Sequence, residues 1–180
     1  MNVSIPYVDD LEQRGYADLI EKEIAKHYAS DPGFAKARSK RSIEDFSIRN
    51  ETTTWYDVKS FDVGSDFSMP NLISIDRLRK LMLTNDSLVY ILVHYRLDHD
   101  AKKVIIESVE NRPIESLDPT ILAIQNLGKG VLQVKSMHNA LTKYEGDRKS
   151  WMKSISTMAT EFYRKQIIKF TKLEREWHYE

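Results

Sequence analysis

The stretch of residues 42–60 constrains the fold most strongly, because it has the pattern of a β-hairpin. Residues 44–49 are predicted to form a first short strand, and residues 50–52 (Asn-Glu-Thr) supply turn chemistry. Residues 53–61 are rich in β-branched and aromatic side chains and are predicted to form the second strand. The polar groups on this hairpin are the chain's main candidates for chemistry.

The second predicted strand carries a carboxylate and an ammonium group. Side chains alternate along a strand, so Trp55, Asp57 and Lys59 share one face, with neighbours on that face roughly 6.5–7 Å apart. Asp45, entering the first strand, can bring a second carboxylate to the same end. Two carboxylates and the Val58 backbone carbonyl would form an oxygen site suited to Mg²⁺. Lys59 would then steer or acidify an attacking water, as phosphodiester hydrolysis requires.

The Asp-Val-Lys triplet also has a plainer interpretation, an exposed ion pair on an edge strand. Such a triplet arises by chance in many proteins, so its interpretation depends on the rest of the chain.

The bulk composition indicates a single soluble domain covering residues 1–180. Hydrophobic residues make up 41% of the chain and charged residues 30%, and no apolar run reaches the roughly 18–20 residues that span a bilayer. The first ten residues lack the pattern of a signal peptide, and there is no cysteine, which fits a cytoplasmic protein. A net charge of zero argues mildly against nucleic-acid binding over the whole surface, but it permits a local basic groove.

Patterns along the rest of the chain predict alternating helices and strands. A helix capped by Asp9 and Asp10 is expected to run to about Ala29, and His94 within a later apolar strand is expected to be packed rather than a ligand. The other predicted elements are a helix over 72–83, strands over 87–97, 102–109 and 131–135, a short helix over 117–127 and a long aromatic helix over 147–177.

Several polar side chains could contact nucleic acid. Four of them, Gln125, Asn126, Lys129 and Gln133, carry the donors and acceptors that read base edges. Residues 36–41 also place four basic residues just before the hairpin. The alternative interpretation is that each of these residues is an ordinary solvated surface residue.

Three segments together resemble one enzyme family: Glu44-Asp-Phe-Ser-Ile, Trp55-Tyr-Asp-Val-Lys-Ser and Ser68-Met-Pro-Asn-Leu-Ile-Ser. With the apolar strand and the long C-terminal helix, they resemble the HincII-type type II restriction endonucleases of the PD-(D/E)xK superfamily, which share an α/β core with EcoRV. The resemblance implies a restriction-endonuclease-like mixed β-sheet core flanked by helices. The first motif here has Glu44 where the superfamily pattern has proline.

The resemblance also implies residue roles. Asp45 and Asp57 would bind Mg²⁺, Lys59 would be the catalytic lysine, and Glu21 on the first helix is a candidate to assist them, although a solvated helix charge is its alternative. The segment 67–71, with Ser68 and Asn71, would reach the DNA, and residues 125–135, ending in Lys135, would read base edges. This chain is shorter than those enzymes, and Ser68 replaces a glutamine that wedges into the base stack, so the family's recognition sequence is not transferred.

The predicted function is therefore that of a Mg²⁺-dependent restriction endonuclease acting on double-stranded DNA. Cleavage of both strands of a palindrome favours a two-fold homodimer. One alternative is another PD-(D/E)xK nuclease, such as a repair, nicking or structure-selective enzyme. The other is a catalytically silent relative that only binds DNA, including an antirestriction or regulatory factor.

Overall fold

The structure, a computed structural model, describes residues 3–37, 42, 44–64, 71–135 and 143–177. In chain order its helices and strands are α1 (Gln13–Tyr28), β1 (Phe34–Lys36), β2 (Phe46–Arg49), β3 (Thr53–Asp62), β4 (Asn71–Ser74), α2 (Ile75–Met82), β5 (Ser87–Asp98), β6 (Lys103–Pro113), β7 (Leu122–Gln125), β8 (Val131–Val134) and α3 (Arg148–Trp177).

The chain divides into two compact units. The first comprises Met1–Pro70 and Lys80–Ile114, and the second comprises Asn71–Arg79 and Glu115–Glu180. That the 180 residues form one domain stays a prediction.

The first unit contains a five-stranded mixed sheet in the order β1-β2-β3-β5-β6. The predicted hairpin is confirmed: β2 and β3 are antiparallel, with Phe46 opposite Tyr56 and Arg49 opposite Thr53. Strand β1, which the sequence did not predict, pairs with the outer edge of β2. Strands β3 and β5 are parallel, and β6 is antiparallel to β5.

Strand β5 is the predicted apolar strand, and it lies between β3 and β6. Its residues Leu88, Tyr90–Val93 and Tyr95 are all buried, as expected for a strand whose two faces are both covered. His94 is packed, as predicted: its ring stacks on Phe61 with 5.4 Å between centroids, and its Nδ1 lies 2.8 Å from the Ser108 hydroxyl.

Helix α1 packs on one face of this sheet. Tyr16, Ile20 and Ile24 follow one another at four-residue spacing, so they form one stripe on the helix, and all three are buried in a cluster with Phe46 and Ile91. Each large apolar side chain buried in this way stabilises the fold by roughly 1.5–3 kcal/mol relative to leaving it exposed.

The prediction that Asp9 and Asp10 cap α1 is wrong. Asp10 has a left-handed backbone conformation, with φ of 60°, and the helix begins only at Gln13. The preceding segment is instead tied to the helix by Tyr16, whose hydroxyl donates to the Val8 carbonyl at 2.8 Å and accepts from the Val8 N–H at 3.1 Å. Asp9 forms an ion pair with Lys102 at 3.0 Å.

The second unit contains a three-stranded antiparallel sheet in the order β4-β8-β7 and the long helix α3. Helix α3 contacts β7, and Trp151 in its second turn is fully buried, with Nε1 donating to the Leu117 carbonyl at 2.8 Å. The predicted long C-terminal helix and the strand over 131–135 are confirmed.

Two further predicted helices were wrong in part. The helix expected over 72–83 begins at Ile75, because the residues before it form β4 and pair with β8. The helix expected over 117–127 is only a 3₁₀ turn, Pro119–Ile121, in which the Asp118 side chain accepts from the Thr120 N–H at 2.8 Å. The chain then continues as β7, whose backbone groups pair with β8.

Among the described residues, no helix is both long enough and apolar enough to cross a membrane.

Candidate active site

The Asp45 residue is fixed by backbone hydrogen bonds from both sides. Its N–H donates to the Tyr56 carbonyl at 2.8 Å, and its carbonyl accepts from the Ala37 N–H at 3.0 Å. Its side-chain Oδ2 accepts from the Val58 N–H at 2.7 Å. The carboxyl group is therefore held against the middle of β3, beside the residues that carry the other candidate groups.

Asp57 and Lys59 meet on β3, as the strand alternation predicts. The Lys59 Nζ lies 2.8 Å from Asp57 Oδ1, and the Asp57 residue is only 7% exposed. The start of this strand is anchored by Asp86, whose carboxylate accepts from the Thr53 N–H at 3.0 Å and from the Trp55 Nε1 at 3.3 Å. These bonds fix the strand that positions the acid and the lysine.

The electrostatics of the two aspartates are unusual for surface carboxylates. Burial raises the pKa of the Asp57 carboxyl to about 7; the neighbouring Asp45 adds to the rise, and the Lys59 ammonium opposes it. Burial also raises the pKa of Asp45, although the Val58 N–H, the Lys59 charge and a hydrogen bond with Asp57 pull it down. The two carboxyl groups are thus coupled: their interaction raises the pKa of Asp57 and lowers that of Asp45.

Glu21 on α1 belongs to the same electrostatic environment. Burial raises the pKa of the Glu21 carboxyl, the Asp45 charge raises it further, and the Lys59 ammonium lowers it. The sequence suggested Glu21 as a residue that could assist the site, and that role stays a prediction.

The donor set fits a Mg²⁺ ion. A buried carboxyl group, Asp57, close to the half-buried carboxyl group of Asp45 is costly as an anion, and a divalent cation would offset that cost. Mg²⁺ usually takes one or two protein carboxylates and keeps water and substrate oxygens for its other positions. In the part of the chain that the structure describes, no group of three or more His, Cys, Asp or Glu side chains could hold a metal. A Mg²⁺ ion held by Asp45 and Asp57 would therefore need water and substrate oxygens to complete its shell.

Tyr90 is a neighbour of the site that the sequence did not identify. It stands opposite Asp57 in the parallel pairing of β3 and β5, and its side chain is fully buried. Burial, with a contribution from the Asp57 charge, raises the pKa of its hydroxyl. Within the described residues that hydroxyl has no hydrogen-bond partner. Sequence analysis could have identified Tyr90 only if the register between β3 and β5 had been known.

Apart from Ser68, the residues predicted to bind DNA lie in the second unit, on β4, β7, β8 and the adjoining turns. Asn71 and Gln133 are opposite each other on β4 and β8, and the Gln133 Nε2 donates to the Asn71 Oδ1. Gln125 ends β7 and is exposed, as are Asn126 and Lys129 in the turn that follows.

Lys135 and Ser68 are the two remaining residues that the sequence predicts to bind DNA. The Lys135 Nζ donates to the Thr120 carbonyl at 2.9 Å, so this lysine is engaged within its own unit. Ser68 and most of its loop, residues 65–70, lie outside the described residues, as do residues 38–41 of the basic cluster.

Comparison with solved structures gives the fold. The chain is similar to the NlaIV restriction endonuclease, with a TM-score of 0.54 and 11% sequence identity over 89% of this chain and 71% of that chain. This chain has a restriction-endonuclease-like fold. The predicted fold class, a mixed α/β core with flanking helices and a long C-terminal helix, is therefore confirmed.

The same comparison does not distinguish the HincII-type family from other enzymes with this fold, so that narrower assignment stays a prediction. No protein-family model matches the sequence, and neither does any curated protein.

Proposed function

We propose that this protein is a Mg²⁺-dependent endonuclease that hydrolyses phosphodiester bonds in double-stranded DNA at a short palindromic sequence, as a type II restriction enzyme of the HincII type. The observation that carries the proposal is the convergence of Asp45, Asp57 and Lys59: the buried Asp57 pairs with Lys59, and the Asp45 carboxylate accepts from the N–H of Val58, the residue between them. The restriction-endonuclease-like fold supports it.

Each of the three residues has a distinct task in this proposal. Asp45 and Asp57, with the Val58 carbonyl, would hold the cation, which when bound supplies positive charge next to the scissile phosphate. Lys59 orients the attacking water, and its ammonium group is itself kept in place by the 2.8 Å contact with Asp57. The bonds from Tyr56, Ala37 and Val58 keep Asp45 in position without the ligand. The site is thus largely pre-organised.

DNA is the proposed partner, and the second unit is the proposed recognition surface. The exposed side chains of Asn71, Gln125, Asn126 and Lys129 and the half-buried Gln133 carry groups that can read base edges. Lys135 is a further proposed contact of this unit, and Ser68, which lies outside the described residues, is a separate proposed contact. Cutting both strands of a palindrome calls for two active sites related by a two-fold axis, so the active form is proposed to be a homodimer.

A plasmid cleavage assay tests the catalytic assignment. The wild-type protein is expected to produce discrete fragments with Mg²⁺ and none with EDTA, and Asp57→Ala and Lys59→Ala are each expected to abolish cutting. Glu44→Ala and Lys103→Ala, an acid next to Asp45 and an exposed lysine on β6, serve as matched controls and should cut normally. Unchanged cutting by both active-site variants would refute the assignment.

The products separate this proposal from its two alternatives. Sequencing the ends of fragments from a long DNA should return one short repeated sequence if the enzyme is of the restriction type. Preferential cutting of nicked or branched DNA would instead indicate a repair, nicking or structure-selective nuclease. DNA binding without any Mg²⁺-dependent cleavage would indicate a catalytically silent relative.

A further inference from the structure

The second half of α3 carries large apolar side chains that remain exposed. Helix α3 has 30 residues, but its buried residues, Trp151 and Ile155, both lie in its first two turns. Beyond Tyr163, whose hydroxyl donates to the Lys129 carbonyl at 3.1 Å, every residue from 167 to 177 is exposed. The exposed fractions reach 64% for Ile167, 60% for Phe170 and 79% for Trp177.

These side chains lie on one side of the helix. With about 100° of rotation per residue, Tyr163, Ile167, Phe170, Leu173 and Trp177 fall within an arc of roughly 120°. The lysines and arginines of this segment lie outside that arc, and one of them, Lys172, forms an ion pair with Glu176 at 3.8 Å. A surface of this kind is the seam along which one helix packs against another.

The order of residues along this arc is symmetric about Phe170. Three positions to either side lie the aliphatic residues Ile167 and Leu173, and four positions to either side lie the polar residues Gln166 and Glu174. Seven positions to either side lie the aromatic residues Tyr163 and Trp177. When two identical helices cross antiparallel about a two-fold axis at Phe170, each residue therefore faces one of its own chemical type.

The two polar residues of the arc are complementary in the same arrangement. When the helices run antiparallel with Phe170 at the two-fold axis, Gln166 of each copy lies opposite Glu174 of the other. A glutamine amide offers hydrogen-bond donors and a carboxylate offers acceptors, so this pairing places a donor against an acceptor on both sides of the axis.

The apolar area matches what a dimer needs. The five residues of the arc are exposed by 38% (Tyr163), 64% (Ile167), 60% (Phe170), 38% (Leu173) and 79% (Trp177). Taking about 150–250 Å² for a fully exposed large side chain, with the aliphatic ones near the lower figure, these fractions give roughly 500 Å² of apolar surface on each copy. A symmetric pair that covered all of it would bury about 1,000 Å² in total, which is near the lower limit for a specific interface. Glu174 also lies inside the arc, and a carboxylate there opposes insertion into an anionic membrane.

We infer that residues 163–177 of α3 form a dimer interface, in which the helix packs antiparallel against the same helix of a second copy with Phe170 at the two-fold axis. The inference rests on this helix and not on nuclease activity, so its test does not use cleavage. A failure here would leave the catalytic assignment untouched.

Two neighbouring isoleucines provide a matched pair for the test. Ile167 lies in the arc, whereas Ile168 is rotated by about 100° out of it and is equally exposed, at 71%. Light scattering after gel filtration should give the wild type and Ile168→Asp twice the chain mass of 21.0 kDa, and Ile167→Asp the mass of one chain. Circular dichroism should show the same helix content in all three. A monomeric wild type, a dimeric Ile167→Asp or a monomeric Ile168→Asp would overturn the inference.

Cross-linking tests the antiparallel arrangement, because the chain has no cysteine of its own. Phe170→Cys should form a disulfide-linked dimer on mild oxidation. Glu174→Cys should not, because the two sulfurs would be displaced by about 12 Å along the helices, and a disulfide needs Cα atoms within about 7 Å. Linkage of both variants would indicate a parallel pair and overturn this arrangement. Co-sedimentation of a monomeric wild type with phosphatidylglycerol–phosphatidylcholine vesicles would assign the arc to a membrane surface instead.

Discussion

Asp57 is an acid placed where water reaches only 7% of its surface, beside a second acid and a single ammonium group. Strand alternation alone brings Asp57 and Lys59 together, and the hairpin register brings Asp45 to the same point. The raised pKa of about 7 follows from burial more than from either neighbour. A carboxyl group with this pKa is poised to exchange its proton for a metal cation near neutral pH.

The pKa of Asp57 predicts how the stability of the metal-free protein depends on pH. Between the usual carboxyl pKa of 3.8 and about 7, the folded chain keeps a proton on Asp57 that the unfolded chain has lost. Because the folded state binds more protons in this window, the free energy of unfolding falls as the pH rises through it and then levels off. The contribution is a few kcal/mol at most.

Asp57→Asn removes that contribution. In EDTA, the unfolding free energy of this variant minus that of the wild type should increase between about pH 4 and pH 7 and stay constant above pH 7. Urea denaturation at a series of pH values measures the difference. A difference that is the same at every pH would contradict a raised Asp57 pKa.

Tyr16 and Tyr90 are both buried, but their hydroxyl groups differ in hydrogen bonding. The Tyr16 hydroxyl makes two hydrogen bonds with Val8, whereas the Tyr90 hydroxyl makes none in the described residues. Tyr16→Phe should therefore lower the unfolding free energy by about 1–2 kcal/mol, and Tyr90→Phe should leave it unchanged or raise it. Urea denaturation of both variants decides the point, and equal losses would contradict the assignment of hydrogen bonds.

At the scale of elements, the sequence predicts those parts of the fold whose pattern is local. The hairpin strands, the apolar β5 and the long α3 each carry their own periodicity, so they were predicted close to their observed bounds. Strands β1, β4 and β7 have only three or four residues, and they exist because a partner strand pairs with them. The partner of β4 lies more than fifty residues further along the chain, and β1 and β7 are too short to show a strand periodicity of their own. The segments of β4 and β7 were therefore assigned to helices.

The residues of the candidate site also divide into those that a local pattern predicts and those that depend on tertiary packing. Asp45, Asp57 and Lys59 were predictable because a hairpin register places them within one local unit. Tyr90 depends on the parallel pairing of β3 with β5, which are separated by more than twenty residues. Glu21 depends on how α1 packs, which no local pattern fixes. Both therefore required the structure.

The turn between β7 and β8 contains two glycines with a positive φ, Gly128 and Gly130. Gly130 has φ of +96°, and a Cβ atom there would come within 2.8 Å of the Phe162 ring on α3. Gly128 has φ of +58°, and a Cβ atom there would meet nothing within 4 Å. Gly130→Ala should therefore cost more stability than Gly128→Ala, which should lose about 1 kcal/mol for its left-handed backbone.

Thermal or urea denaturation of the two glycine variants measures this difference. Adding Phe162→Ala to each background separates steric contact from backbone strain. The second substitution should cost less stability in the Gly130→Ala background than in the Gly128→Ala background, since only the former has a clash to relieve. If Phe162→Ala lowers the stability equally in both backgrounds, then Phe162 does not constrain this turn.

At the scale of the whole molecule, the proposed dimer and the proposed nuclease combine into a prediction about products. A monomer with one active site should nick one strand, whereas a two-fold dimer should cut both. Ile167→Asp is therefore expected to convert supercoiled plasmid mainly to open circles, and Ile168→Asp and the wild type mainly to linear DNA. Gel electrophoresis over a time course distinguishes these products. If Ile167→Asp forms as much linear DNA as the wild type, then cleavage of both strands does not depend on the α3 interface.

The proposed catalysis requires Asp45, Asp57 and Lys59 to act as one unit. Groups that act together are not additive: removing one costs nearly as much as removing all of them. The most direct measurement is the single-turnover cleavage rate of one DNA fragment by Asp57→Asn, Lys59→Met and the double variant. We predict that each single variant loses roughly a thousandfold or more and that the double variant loses little beyond that. Cleavage by either single variant at the wild-type rate would contradict the account.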